Sequence, residues 1–390
     1  MNKEELFAHI EADQVAQLCH DLVRYKTINP PGDELALVNF VLEYLRLLGF
    51  EGELVPHAEN RASGIARLRG SGELPALMFN GHADVVPVGN QPWRFDPFSG
   101  EIAEGKVWGR GSCDMKGGIA AMLVAARSVA LTQQKLLGDL VFSITAGEEV
   151  NMLGARVLAG LPSLGPLQAI IISEPTTNCI ALAERGVLWP EISTHGKTAH
   201  GSTPELGINA ISMMLLLLKE IEEMEIPFTP HPLLGNMTRS LNIIQGGVQT
   251  NVVPDSCSVM YDFRTVPGQD HPAIIAQIEA EIQQLAQRVK DFKATVKLIH
   301  DLPPAETAPD HPAVLKFQAA ASEALGKPVE TQVMKFATEA SIFVPALNVP
   351  TIVLGPGIPG LAHQPDEYVE IDKMVEAARI YALAAANMLG

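Results

Sequence analysis

The sequence predicts an α/β domain into which a smaller α+β, ferredoxin-like domain is inserted. Two observations carry that expectation. Between Ala76 and Ser173, short apolar, β-branched runs alternate with helical periodicity, and each run ends in polar residues: His82 and Asp84, then Glu148 and Glu149, then Glu174. This is the α/β pattern, in which sites gather beyond the carboxyl ends of the strands. After about Ala181 the texture changes to an order of β-α-β-β-α-β, the split βαβ arrangement, and from about Leu302 the α/β texture resumes.

In chain order, Leu6, Ile10, Val15, Leu18 and Leu22 recur at helical spacing and predict a helix over Glu4–Tyr25, stopped by Asn29-Pro30-Pro31-Gly32. A second helix is expected over Leu35–Leu48. Strands follow at Gly52–Pro56, Ser63–Arg67 and Ala76–Asn80. Ile119, Met122, Leu123, Ala126 and Val129 mark a helix over Gly118–Ala130, with strands at Asp139–Thr145 and Ala169–Ser173. In the insertion, strands Val187–Thr194, Asn242–Gly246 and Ser256–Arg264 interleave with helices Leu206–Glu225 and His271–Val289. The chain closes with helix His311–Leu325, strand Pro350–Leu354 and helix Ile371–Met388. The expected domains are 1–182 with 300–390, and 183–299.

The chain has 390 residues, which is room for roughly two to three domains with real cores. Its 47% hydrophobic and 19% charged residues are those of a soluble globular protein. A net charge of −17 argues against nucleic acid or an anionic membrane as partner, so an anionic substrate needs a local Arg or Lys. The start, Met1-Asn2-Lys3-Glu4-Glu5, has no apolar signal core, and no run reaches the ~18 apolar residues of a membrane span. Cys19, Cys113, Cys179 and Cys257 are scattered without CxxC spacing, as reduced thiols would be, so a cytoplasmic protein is expected.

The stretch from Met78 to Gly118 organises the chemistry. On a strand, residues two apart share a face, so His82 and Asp84 can cooperate; a metal-bound His usually gives its other N–H to a carboxylate or carbonyl. Asp114 sits in the Gly-rich turn Gly111–Gly118, which lacks the spacing of a phosphate-binding loop. Singly, each of these reads more readily as a core His or a capping Asp. Together with Glu149, Glu174 and His363, all at expected strand ends or loops, they make five potential metal donors. Oxygen and nitrogen donors without thiolates suit Zn²⁺, Co²⁺ or Mn²⁺ in a hydrolytic site. One carboxylate shared between two ions ~3.5–4 Å apart accommodates five donors. Glu148 and Glu149 diverge as neighbours, so one can bind metal while the other shuttles protons.

The chain resembles the acetylornithine deacetylase / succinyl-diaminopimelate desuccinylase family of di-zinc amidohydrolases, which includes aminoacylases and related peptidases. The resemblance runs through Gly81-His82-Ala83-Asp84, Gly111 to Gly118, Gly147-Glu148-Glu149, Ser173-Glu174-Pro175-Thr176, Gly196 to His200, Asn251-Val252-Val253-Pro254, Asp262-Phe263-Arg264, Leu354 to Gly357 and Ala362 to Tyr368. It implies a zinc-peptidase-like mixed-sheet catalytic domain with an inserted lid and dimerisation domain. It also implies that two Zn²⁺ (or Co²⁺) are held by His82 and Glu174 on one side and Glu149 and His363 on the other, with Asp114 between them. Asp84 would orient His82, Glu148 would be the general base, and the Asp114–Met115 peptide would be cis. His200 would stabilise the oxyanion, acting across a homodimer formed by the insertion; the apolar run Met213–Leu218 in the Leu206–Glu225 helix points to the same surface. Arg264 would clamp the substrate carboxylate, with Asn251 and Thr338 also at the substrate.

The resemblance implies hydrolysis of N-acyl amino acids. Thr338-Glu339-Ala340 is similar to the acetylornithine deacetylases. The desuccinylases have an Arg where Glu184 stands, which favours N-acetylornithine-type deacetylation over desuccinylation. A dipeptidase or carboxypeptidase using the same site stays open. So does a non-catalytic binding protein of this fold, whose mark would be a lost donor or base; all six positions are filled.

Overall fold

The computed structural model describes residues 2–132 and 135–390. The chain divides into two compact units, one running to Leu182 and resuming over Glu306–Val333 and Thr338–Gly390, the other Ala183–Ala305 with Met334–Ala337.

The first unit is α/β, built on a mixed sheet ordered Glu51–Ala58, Arg61–Leu68, Leu140–Thr145, Ala76–His82, Leu167–Ile172, Thr351–Val353, Ile180–Glu184, Ala305–Glu306. At its centre Ala76–His82 runs parallel to both Leu140–Thr145 and Leu167–Ile172, while the outer strands Glu51–Ala58 and Arg61–Leu68 are antiparallel. All seven residues of Ala76–His82 are buried, as expected of a central parallel strand covered on both faces. The expected first helix divides into Lys3–Phe7 and Ala12–Val23; the Leu6 carbonyl accepts from Ser128 Oγ (2.7 Å), which ties the first turn to helix Gly117–Leu131. That helix packs against the closing helix Ile371–Leu389, both rich in Ala. Tyr381, fully buried on the closing helix, donates its hydroxyl to the Leu354 carbonyl and pairs with Ser173 Oγ (2.6 Å), fixing the ends of two parallel strands.

The second unit is α+β. Its antiparallel sheet is ordered Thr238–Gly246, Ser256–Thr265, Gly186–His195, Ala294–Leu302. Leu188, Ile192, Val259, Tyr261 and Phe263 pack against Met214, Leu217 and Ile221 of helix Ala210–Glu223 and Ile274, Ile278 and Leu285 of helix His271–Arg288. The helix expected from Leu206 starts at Ala210, because Pro204–Leu206 forms a separate tight turn and the Asn209 side chain accepts from the Ser212 amide as a cap. The fourth strand, Ala294–Leu302, runs across the domain boundary expected at residue 299, so the unit extends to Ala305. Lys297, His300 and Asp301 dilute its apolar alternation, and its register shifts between Leu298 and His300, so period-two patterning is broken there.

Helix Gly117–Leu131 approaches the strand Leu167–Ile172 closely at Gly118, where an added Cβ would lie 2.3 Å from Ser173 Oγ and 2.4 Å from the Ser173 carbonyl oxygen. Gly118→Ala should therefore destabilise the fold by about 1–3 kcal/mol, the usual cost of overpacking. Denaturant unfolding measures it, and a wild-type midpoint would show that the helix has room to shift.

Candidate metal centre

The sheet delivers its polar residues to one edge. His82 is the last residue of Ala76–His82, Glu148 and Glu149 follow Leu140–Thr145, and Glu174 follows Leu167–Ile172. Asp114 lies in the turn before helix Gly117–Leu131, followed by a cis Asp114–Met115 peptide. His363 comes from the loop between Thr351–Val353 and Tyr368–Glu370.

The five expected donors converge. Donor atoms of His82, Asp114 and Glu174 lie within 4.8 Å of one another, as do those of Asp114, Glu149 and His363. Asp114 belongs to both groups and faces them with different oxygens: Oδ1 is 3.1 Å from His82 Nε2, and Oδ2 is 3.5 Å from His363 Nε2. His82 Nε2 is 3.7 Å from Glu174 Oε1, and His363 Nε2 is 3.1 Å from Glu149 Oε2.

Asp84 supports this edge differently from the expectation. His82 Nδ1 bonds the Asp84 backbone carbonyl at 2.9 Å, while the Asp84 carboxylate is 3.8 Å away. That carboxylate, fully buried, accepts from the backbone amides of Gly147 (2.9 Å), Glu148 (3.0 Å) and Glu149 (3.2 Å), and from Asn29 Nδ2 (2.8 Å). It caps the short helix Glu148–Asn151. The two glutamates thus stand on a helix turn rather than a strand end, and their side chains diverge for that reason. No hydrogen bond among the described residues engages the Glu148 carboxylate.

The electrostatics suit cations. Burial pushes the Glu148 and Glu174 carboxyls well above the usual range, neighbouring carboxylates add to it, and Glu149 is raised for the same reasons. Burial is the largest single influence and opposes charge on His82 and Asp114, but their mutual hydrogen bond and the surrounding opposite charges together outweigh it, holding His82 well above and Asp114 below their ordinary values. Packed together, the carboxylates disfavour one another's ionisation and favour protonated imidazoles. Two divalent ions would relieve that repulsion, and the O/N donor set with a two-faced Asp114 fits them.

The remaining candidates have separate surroundings. His200 and Asn251 lie on adjacent segments of the second unit: the Gly201 amide donates to the Asn251 carbonyl (2.8 Å), and the exposed His200 ring pairs through Nδ1 with Ser202 Oγ (2.7 Å). Arg264, half-buried on the sheet face opposite the helices, is held through Nε by Asp262 (2.9 Å), which also accepts from Trp189 Nε1 (2.9 Å). Thr338 is fully buried and its Oγ1 accepts from the Ala340 amide (3.1 Å) at the start of helix Ala340–Leu347, a cap rather than an exposed contact. The sequence reading missed four polar partners. Asn29 supports Asp84. Glu339, fully buried, accepts from Asn80 Nδ2 and Thr145 Oγ1 (2.9 Å) beneath the strand ends. Arg110 and Glu367 form a buried ion pair. Glu339 and Glu367 were legible only as members of motifs, because a buried acid has no periodic signature.

An α/β sheet whose carboxyl edge gathers two donor groups sharing one aspartate defines a metallohydrolase with a dinuclear site. The profile of peptidase family M20/M25/M40 matches residues 78–387, and the chain belongs to that family. It is 30% identical over 402 aligned positions to a probable succinyl-diaminopimelate desuccinylase of Staphylococcus aureus strain MRSA252, covering 96% of this chain and 97% of that one. Among solved structures it shares its fold with aminopeptidase PepT from Bacillus cereus (TM-score 0.78, 20% identity, 97% of this chain and 99% of that one). A family M20 metallo-carboxypeptidase from Sulfolobus solfataricus is similar at TM-score 0.75 and 19% identity, over 100% and 99% of the two chains.

Burial pushes the Glu339 carboxyl up from 4.5 to about 7. The fold binds that proton more tightly than the unfolded chain, so its contribution is complete below about pH 4.5 and is lost as pH rises through about 7. Glu339→Gln keeps an acceptor for Asn80 and Thr145 and should remove that loss. Urea midpoints of chelator-treated protein should fall less for the variant than for wild type across this window; parallel profiles would show that Glu339 is ionised without penalty.

Proposed function

We propose that the chain hydrolyses the amide bond of N-acyl amino acids, with N-acetylornithine-type deacetylation as its reaction. The observation that carries the class is the shared Asp114 between two donor groups, with the Glu148 carboxylate beside them and, among the described residues, free of hydrogen bonds. His82 and Glu174 would hold one ion, Glu149 and His363 the other, and Asp114 both, with Zn²⁺ or Co²⁺ the metals such donors suit. The ions, when bound, supply Lewis acidity toward the scissile carbonyl and the attacking water. Glu148 takes the proton of the attacking water and passes it to the leaving nitrogen. Asp84 keeps Glu148 and Glu149 in place through their amides. His200 stabilises the oxyanion, Arg264 binds the substrate carboxylate with its fork pre-set by Asp262, and Asn251 contacts the substrate.

The acetyl reading is supported by Glu184, a buried acid where a second substrate carboxylate would want a cation. A second reading, desuccinylation, is supported by the relatives named for that activity. A metal-loaded panel of N-acetylornithine, N-succinyl-diaminopimelate, other N-acetyl amino acids and dipeptides separates these. Fastest turnover of the acetyl substrates is expected. A preference for the succinyl substrate selects the second reading, and a preference for dipeptides selects a peptidase.

No helix among the described residues is long and apolar enough to cross a membrane, which accords with the cytoplasmic location we infer. We also infer a homodimer through the second unit. Leu215 and Leu216 on helix Ala210–Glu223 are 60% and 44% exposed, and the edge strand Thr238–Gly246 exposes Leu241, Ile243 and Ile244. An apolar edge of this kind invites pairing with another copy.

Glu148→Gln should keep its metal while turnover falls by roughly 10²–10⁴, whereas Glu149→Gln should lose metal affinity. Equal metal loss in both would exchange or abolish the two roles. His200→Ala and Glu148→Ala proteins should each be nearly inactive. Refolded together they should recover roughly a quarter of wild-type activity under random two-fold pairing, if His200 serves the neighbouring chain's site. Mixed dimers without recovery would assign His200 to its own chain or remove it from the chemistry.

A further inference from the structure

The two donor groups are supported unequally. His82 ends a fully buried strand, is itself 1% exposed, and is fixed through Nδ1 by the Asp84 carbonyl. His363 sits in a loop at φ +65°, its side chain 50% exposed, and among the described residues its ring's polar partners are the Glu149 and Asp114 carboxylates. With half the side chain in solvent, its position depends on how its backbone is held.

Arg110 and Glu367 supply the hold. Arg110 is 2% exposed and Glu367 0%. The Arg110 guanidinium donates through Nη1 to Glu367 Oε2 and the Gln364 carbonyl (3.4 Å), and through Nη2 to the His363 and Pro87 carbonyls (both 3.3 Å), lying over the Trp93 ring at 5.2 Å. Glu367 Oε1 accepts from the amides of Cys113 (2.9 Å) and Asp114 (3.1 Å). One buried ion pair therefore joins the carbonyl of His363 to the amide of Asp114, two of the three residues of one donor group. Burying an ion pair is costly and is weak evidence for stability; a planar fork gripping three carbonyls is suited to fixing geometry.

We propose that the Arg110–Glu367 pair is the positioning element for the ion held by Asp114, Glu149 and His363, setting that ion's affinity while leaving the His82–Glu174 side anchored by the strand. This rests on the two-ion reading. Outer partners of metal donors typically contribute 10–100-fold in affinity. Arg110→Lys keeps the charge but cannot grip three carbonyls at once, so it should weaken one ion selectively.

The test is Zn²⁺ titration of metal-free protein against a chromophoric chelator, with bound metal counted by elemental analysis, on wild type, Arg110→Lys and Glu367→Gln. Wild type should bind two ions per chain. Arg110→Lys should bind one with wild-type affinity and the other roughly 10–100-fold more weakly. Glu367→Gln, whose amide still offers an oxygen to the Asp114 amide, should show a smaller loss of the same ion. Folding is checked by circular dichroism; if Arg110→Lys does not fold, Glu367→Gln alone decides, by selective or uniform loss. Weakening of both ions equally, or of neither, in a folded variant overturns the proposal. Wild type binding a single ion overturns the two-ion reading as well, an outcome distinct from a two-ion wild type whose variants show no selectivity.

Discussion

Asp114, Glu148, Glu149 and Glu174 crowd into one largely buried space, and the rest of the first unit is arranged so that they can stay there. Desolvation and mutual repulsion disfavour ionisation of the three glutamates, and the two imidazoles offset only part of it; Asp114, bonded to His82, stays below its ordinary value. A flexible chain would swing such side chains apart into water. This one cannot, because the exits of two parallel strands carry Glu148, Glu149 and Glu174, and the Asp114 turn is held through its amide by the Glu367 carboxylate. The tension is resolved by cations, so metal binding and rigidity are two sides of the same constraint.

The holding is done by backbone hydrogen bonds to buried acids. The Asp84 carboxylate gathers three consecutive amides at the Glu148–Glu149 turn and is braced by Asn29. The Glu367 carboxylate gathers the amides of Cys113 and Asp114 and is braced by Arg110. Each acid satisfies orphan amides at a helix start, where negative charge is favourable, and each leaves the reactive side chain on that turn free to face the site. Glu148, Glu149 and Asp114 are thereby fixed through their main-chain amides, leaving their carboxylates to the site.

Strong local signals made much of this legible from sequence. Ala76–Asn80 is a continuous apolar run because its strand is buried on both faces, and His82 follows it by simple extension of the strand. The donors stood out because polar residues at the ends of apolar strands have few structural uses. The residues that escaped are those whose role is non-local and main-chain directed. Asn29 reads as part of a Pro-rich stop, Arg110 and Glu367 lie more than 250 residues apart, and their bond is visible only once the loops are folded together. Asp84 is expected from strand spacing as the ring partner of His82, but it is its carbonyl that meets the ring. The carboxylate turned out to face the amides of the next strand's exit, a contact that no spacing rule encodes. The strand Ala294–Leu302 was obscured for a different reason, since a register shift breaks alternation where an edge strand also carries Lys297 and His300.

The two donor groups differ in how they would respond to a disturbance. The His82–Glu174 side grows directly from adjacent parallel strands, and Tyr381 ties the Ser173 end of one of them to the closing helix, so shifting it means disturbing the core. The Glu149–His363 side is built from a turn capped by the Asp84 carboxylate and a loop whose carbonyls are held by the Arg110 guanidinium. Loops held by a few bonds open at lower free energy than core strands do, so thermal opening of the site begins on that side. Asp114 is the member both sides share, and its amide hangs from Glu367 while its carboxylate reaches His82. Asp114 touches both sides, but His82 and Glu174 keep their own anchorage in adjacent parallel strands when the loop loosens, which makes the site asymmetric in its parts.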